Sequence, residues 1–297
     1  MKSESRLSTR ISLRWPPAPP FENTDTIVLS VKDWYVDLRV DRSNPRTPSV
    51  DWAIAGQRLI ESREPHRVLF THELDSRDSF EETDCGTFTT LPNGDDLEKG
   101  TMPRPDVPGN PLAKYEEVWR TLKFPEGPEG RMQGISWILE SESSVSHTDT
   151  HAQNGNGNGT QGKERVQVTK TFLGRIWGVY VALRQQQGYT RYKNKDGKWV
   201  ISDRTGGDVS VRREEWVRSR LISTSYHNSS SPSSSSSSSL SQPSGWRERY
   251  VLGPDAGNLP SLIAGLEGEG QGPWRVRGEK VMVGGERYIV RAFEAVE

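Results

Sequence analysis

The chain of 297 residues has a single cysteine, Cys85. That excludes an intramolecular disulfide and fits a reducing compartment. No stretch approaches the roughly 18 consecutive apolar residues that a membrane-spanning helix needs. Residues 1–14 lack the apolar core of a signal peptide,. The expectation is a soluble, intracellular protein with no membrane segment. Glycosylation-type sequons at Asn158 and Asn228 then carry no meaning. An excess of one charge sign is also missing: 39 Lys and Arg face 40 Asp and Glu, for a net charge of −1. Nucleic-acid binders usually carry a marked basic excess, so this balance argues against that class. Apolar residues make up 32% of the chain, which is low for its length and fits dilution of a packed part by unpacked segments,.

Two segments differ in composition from the rest. Residues 141–164 contain Asn154-Gly155-Asn156-Gly157-Asn158-Gly159 and almost no apolar side chains, so ordering them would not be repaid by burial,. Residues 223–245 include the serine run 233–239,. The expected organisation is an N-terminal domain over 1–140, a flexible linker over 141–164 and a C-terminal domain over 165–297 carrying a disordered insertion at 223–245.

The remainder reads as strands. Ile27 to Val31 is apolar, Lys32-Asp33 can turn, and Trp34 to Val40 alternates: Trp34, Val36, Leu38 and Val40 face one way, Asp37 and Arg39 the other. That period of two predicts a half-buried strand. Ile135 to Leu139 and Arg175 to Leu183 are rich in β-branched and aromatic residues,. Asp196-Gly197 and Gly284-Gly285 each sit between strand patterns, as in a hairpin. Tyr115 to Arg120 fits a strand or a short helix, and Arg212 to Leu221 is the clearest helix candidate in the second half. Many short strands without long amphipathic helices predict a mainly β, antiparallel barrel or sandwich.

Several motifs fail on context. Gly157 to Gly162 matches a dinucleotide-binding glycine pattern, and Gly157 to Lys163 a phosphate loop. Neither follows a buried strand, and Glu164 stands where the phosphate loop needs a hydroxyl. His147 and His151 have metal-like spacing but lie in the expected linker with no local cysteine,. No G-x-S-x-G elbow occurs,. Asp75, Asp78, Glu81, Glu82 and Asp84 read as a solvated acidic loop, and Cys85 as a small packed residue. Arg184, Arg191, Lys193, Lys195 and Lys198, interleaved with Tyr189 and Tyr192, read as a solvated hairpin,. No catalytic, cofactor or metal residue is assigned, and the expectation is a non-enzymatic protein. Trp34, Trp52, Trp119, Trp137 and Trp177 lie in or beside strand patterns. They either line an apolar barrel cavity or fill a closed barrel core, and the packed core is preferred because small barrels fill with side chains.

Four stretches carry a resemblance: Asp51-Trp52-Ala53-Ile54-Ala55-Gly56, Tyr115-Glu116-Glu117-Val118-Trp119, Gly174-Arg175-Ile176-Trp177-Gly178 and Tyr288 to Glu294. In this order the chain resembles the fungal HRI family, named for interaction with a casein-kinase-I homologue. The resemblance implies two tandem lipocalin-like β-barrels, a cytoplasmic or nuclear address and a casein-kinase-I enzyme as partner, with no established reaction. An adaptor is the leading expectation, with a carrier of a small apolar ligand and an uncharacterised enzyme as alternatives. Casein-kinase-I enzymes favour a Ser three residues after an acid or phosphoserine. Glu140 precedes Ser143, and Ser141 precedes Ser144, at that spacing, so both serines are candidate phosphorylation sites.

Overall fold

The computed structural model describes residues 4–81, 84–142, 145–148, 164–219 and 243–296. The chain opens with nine strands: β1 (Ser5–Arg14), β2 (Thr24–Val31), β3 (Trp34–Asp41), β4 (Ser49–Arg63), β5 (His66–Phe70), the short β6 (Leu74–Asp75), β7 (Asp84–Thr90), β8 (Asp96–Pro103) and β9 (Leu112–Leu122). Eight of them, all but β6, pair antiparallel with their neighbours in chain order. β9 returns to pair with β1, with Leu7 opposite Leu122, and so closes an up-and-down barrel. β6 pairs along β4 outside this circuit. Lys32 takes φ 55° at the β2–β3 turn, where the sequence predicts a reversal.

The second half contains β10 (Gly134–Ser141), β11 (Val145–Thr148), β12 (Glu164–Ile176), β13 (Val179–Lys193), β14 (Trp199–Gly206), β15 (Ser210–Val217), β16 (Gly245–Leu252), β17 (Lys280–Val283) and β18 (Glu286–Val296). These form a second antiparallel sheet in the order β16-β15-β13-β12-β10-β18-β17, with β11 beside β12 and β14 beside β13. Among the described residues its ends, β16 and β17, do not meet. The fold is mainly β, with one closed barrel and a second sheet. Short 3-10 turns at Ala256–Asn258 and Gly272–Arg275 cover one face of that sheet.

Three sequence expectations change. β10 pairs with β12 and β18, so the second sheet begins at Gly134 and not after residue 140. The composition break follows β10 in sequence, and strand pairing ignores it. Within 141–164, Ser141 ends β10, Val145–Thr148 forms β11 and Glu164 opens β12; residues 143–144, with Ser143 and Ser144, and 149–163 lie outside the described residues. Residues 223–242 of the serine-rich segment lie outside them too, while Gly245 opens β16. The third change is Arg212 to Val217, which is strand β15 between β13 and β16 and not a helix. Its run of charges is buried in ion pairs, such as Arg213 to Asp25 at 3.0 Å, and does not form a solvated helical face.

The main apolar core lies outside the barrel. Leu29, Val36, Leu38, Ala53 and Ala55 on the outer barrel wall pack against Phe172, Ile176, Val179, Val181 and Val211 of the second sheet. Trp34 stacks on Phe172 with ring centroids 6.1 Å apart. The small Ala53 and Ala55 and the glycine at 174, where an added Cβ would sit 3.2 Å from Val36, let the two layers approach closely. The opposite face of the second sheet carries its own core, with Trp137, Leu173, Tyr180, Trp246, Trp274 and Tyr288.

Candidate ligand site inside the barrel

Alternation on β3 puts Trp34, Val36, Leu38 and Val40 on the outer wall, under the second sheet. Tyr35, Asp37 and Arg39 therefore point into the barrel. The sequence reading places Asp37 and Arg39 on a solvated face; the structure leaves them 4% and 6% exposed. The other barrel strands add Ser8, Val28, Trp52, Phe70, Phe88, Glu98, Tyr115, Glu117 and Trp119 to the lumen. Room for these side chains comes from two glycines. An added Cβ at Gly86 would lie 2.2 Å from Glu98 Oε1, and one at Gly100 2.7 Å from the Tyr115 ring.

The lumen holds a cavity of about 80 Å³ to which all eight barrel strands contribute. A recess of about 860 Å³ adjoins it, lined by His72, Arg77, Asp84 and Leu112 and sharing Trp52 and Met102 with the lumen. A small-barrel interior is commonly filled by side chains. Here those side chains are charged and aromatic and leave space between them.

A buried ion network crosses the lumen. Arg39 donates to Asp37 Oδ2 at 2.8 Å and to Glu117 Oε1 at 3.3 Å. Arg10 donates to the same Glu117 oxygen at 2.6 Å and to Glu22 at 2.7 Å. The Arg39 guanidinium also sits 4.7 Å from the Trp52 ring and 5.4 Å from the Trp119 ring, within cation–π range. Burial pushes the Asp37 carboxyl above its ordinary value despite Arg39. Burial, then the charges of Glu117 and Asp84, push Glu98 up to about 8, while the Tyr115 hydroxyl donates to Glu98 at 2.8 Å. Asp37 Oδ1, Trp119 Nε1 and Arg6 Nε are buried without a hydrogen-bond partner among the described residues.

The mouth is built jointly by both halves. His72 Nδ1 lies 2.7 Å from Asp75 and Nε2 3.2 Å from Asp84. Trp52 Nε1 donates to Asp75 Oδ1 at 2.9 Å. Burial disfavours the His72 imidazolium, but the two carboxylates outweigh it and raise His72 to about 9. From the second sheet, Gln185 Nε2 donates to the Asp75 carbonyl at 2.7 Å, and Arg204 to the Glu73 carbonyl at 2.6 Å. The acidic stretch read as a solvated loop is thus partly a buried element, because Asp75 is completely enclosed between Trp52, His72 and Gln185. Asp78 and Glu81 are exposed.

Of the five tryptophans, Trp52 and Trp119 line the lumen. Trp34 lies between barrel and sheet, Trp137 is in the second core, and Trp177 packs on Phe124 at 5.4 Å. Arg10, Asp37, Arg39, His72, Glu98 and Glu117 were missed as site residues. The available signal was the alternation of Tyr115, Glu117 and Trp119, which share one face of β9. His147, read with the linker, lies on β11 opposite Val166. Among the described residues no group of three or more His, Cys, Asp or Glu is arranged to hold a metal ion. No described helix is long and apolar enough to cross a membrane.

The raised values at Glu98 and His72 predict a pH dependence. Both folded values exceed the ordinary 4.5 and 6.5, so the folded state holds protons that the unfolded chain releases,. Their contribution is complete at low pH and is lost as pH rises through about 8 and 9. Asp25, held near 2, acts oppositely: burial raises it, but Arg213, Tyr250 and Arg249 outweigh that, and its contribution is lost only on strong acidification. At roughly 1.4 kcal/mol per pKa unit, denaturant-measured stability should fall on the order of 7 kcal/mol from pH 5 to pH 9, somewhat more than half of it from Glu98. Glu98→Gln should flatten that slope. A flat or rising profile would contradict the assignment.

Comparison with known proteins agrees with this architecture. The crystal structure of the uncharacterized protein YLR301w from Saccharomyces cerevisiae covers 98% of this chain and 99% of its own, with TM-score 0.51 and 13% identity. At that identity the likeness shows the fold alone. No curated protein matches the sequence. The family model described as Protein HRI1 matches residues 6–264, which takes in the whole barrel and most of the second sheet. The chain therefore belongs to the HRI1 family.

Proposed function

We propose that this protein is a non-enzymatic binder of a small molecule, with the lumen of the closed barrel as its site. One observation carries the reading: a cavity reached by all eight strands is lined by residues with a buried carboxylate oxygen and a buried indole N–H, each without a partner among the described residues. Buried polar groups are nearly always hydrogen-bonded, so such a pair marks a place that a ligand completes. The charged lining favours a polar ligand over the apolar one expected for a carrier. Native mass spectrometry of the purified chain should show a bound small molecule released on denaturation. Tryptophan emission should change on rebinding, and less so in Trp52→Phe. Absence of any adduct, with no emission or melting shift across a metabolite library, would sink the reading.

An adaptor role, with a casein-kinase-I enzyme as partner, uses a different surface in our reading. Among the described residues β14 pairs with β13 alone, and it exposes Trp199 and Ile201 at 45% and 55%. Arg191 and Lys193 lie 4.5 and 5.3 Å from the Trp199 ring. Such an edge suits addition of an extended acidic segment. Purified kinase should be retained by the intact protein and released by Trp199→Ser; equal retention by both would exclude this edge.

A further inference from the structure

The lumen is electrically uneven along its length. Around Asp37, two guanidiniums, Arg10 and Arg39, share three carboxylates, Asp37, Glu117 and Glu22. One negative charge is unmatched there, and Asp37 Oδ1 is the oxygen left without a partner. Asp37 pairs with Ile54, and Arg58 lies four residues further along β4. At that end the balance reverses. Arg6 and Arg58 both line the cavity, and Arg6 binds Asp96 at 2.7 Å. Arg58 has no carboxylate within 4.0 Å among the described residues; its guanidinium lies 3.5 Å from His66 Nε2. Arg6 Nε is also unpartnered. Arg58 therefore has no direct ion pair at the β2–β3 turn end among the described residues, although Glu98 and Asp96 lie close enough to favour its charge.

A ligand of one sign would meet one of these ends unfavourably. A neutral ligand would leave both ends without a partner, at greatest cost around the enclosed Asp37, where an unpaired charge is poorly hydrated,. Resting on the reading of the lumen as a ligand site, we propose that the barrel binds a small zwitterion: an organic amine whose ammonium reaches Asp37 and whose carboxylate reaches Arg58 and Arg6. Tyr35, Phe70 and Phe88 would flank the short chain between the two charges. The volume sets an upper bound on size. A water-sized group needs about 10–15 Å³ by this measure, so the 80 Å³ cavity admits only a handful of non-hydrogen atoms. Arg6 is two residues along β1 from Ser8, which lies level with Asp37. At ~3.3 Å per residue the backbone separations from Asp37 are about 7 Å for Arg6 and about 13 Å for Arg58; an amine and a carboxylate a few carbons apart match the first, and the long Arg58 side chain, which lines the same cavity, covers the rest,.

The test is calorimetric titration of the full chain, stripped of endogenous ligand by denaturation and refolding, with 4-aminobutanoate, butylamine and butanoate. The zwitterion should bind at least tenfold more tightly than either single-charge analogue. Asp37→Asn should remove its advantage over butanoate, and Arg58→Gln its advantage over butylamine. Arg58→Gln carries the test if Asp37→Asn does not fold, because Arg58 has no ion pair to lose. Equal affinity for a single-charge analogue, or no effect of Arg58→Gln on that ratio, overturns the zwitterion assignment while leaving the lumen as a ligand site. Failure of all three probes also overturns it; the native mass spectrum then decides separately whether the lumen holds any ligand.

Discussion

Arg39→Leu is expected to lower stability by about 3–5 kcal/mol, the range seen when one partner of a buried ion pair is removed. Among the described residues Arg39 is the sole cation paired with Asp37 and one of two paired with Glu117. Leucine roughly fills the stem's space but leaves Asp37 charged, enclosed and without a donor. Asp37 already sits above its ordinary value through burial, so the variant should recover part of its loss on acidification, as Asp37 takes up a proton. The double variant Arg39→Leu with Asp37→Leu should be more stable than the single one, because no charge is then stranded by that pair. Urea titrations at pH 5 and pH 8 would check this. A single variant within about 1 kcal/mol of the parent, the ordinary scale of an exposed pair, would show that water reaches the network freely.

Phe172→Ala should cost about 3–5 kcal/mol, as for other buried aromatic truncations. Phe172 is fully buried, stacks on Trp34 of the barrel and belongs to the second sheet. Its removal therefore opens a hole at the junction between the two halves. Because the largest apolar cluster spans that junction, each half alone would expose its share of it. Heat unfolding of the intact chain should be a single transition, and Phe172→Ala should shift the whole of it. Two separate transitions, with only one moved by the substitution, would mean that barrel and sheet fold independently.

Strand content was legible because a half-buried strand writes its two faces into alternate residues. The alternation from Trp34 to Val40 is the clearest case, and the hairpins at Asp196-Gly197 and Gly284-Gly285 join β13 to β14 and β17 to β18. The motif Trp52 to Gly56 also gains a physical reason. Trp52 and Ile54 face the lumen, Ala53 and Ala55 lie under the second sheet, and an added Cβ at Gly56 would collide with the Thr71 carbonyl at 1.9 Å. β15 was misread because adjacent charges such as Arg212, Arg213 and Glu214 look solvated, whereas each finds a partner from a distant segment: the Ala256 carbonyl, Asp25 and the Leu262 N–H respectively. The domain boundary was misplaced because composition marks where the chain is unpacked and says nothing of which sheet a strand joins.

Alternation along the chain determined that each strand has an apolar face and a polar one. It could not determine which face points inward. In an isolated sheet the polar face meets water, and that default put Asp37 and Arg39 outside. Closure of β9 onto β1 and the docking of a second sheet on the outer wall reversed the assignment. The apolar faces are satisfied between barrel and sheet, and the charged ones are enclosed with each other. Residues as far apart as Arg10 and Glu117, or Asp75 and Gln185, meet only through that closure and docking. The candidate site therefore exists in the tertiary structure and in no local stretch of sequence.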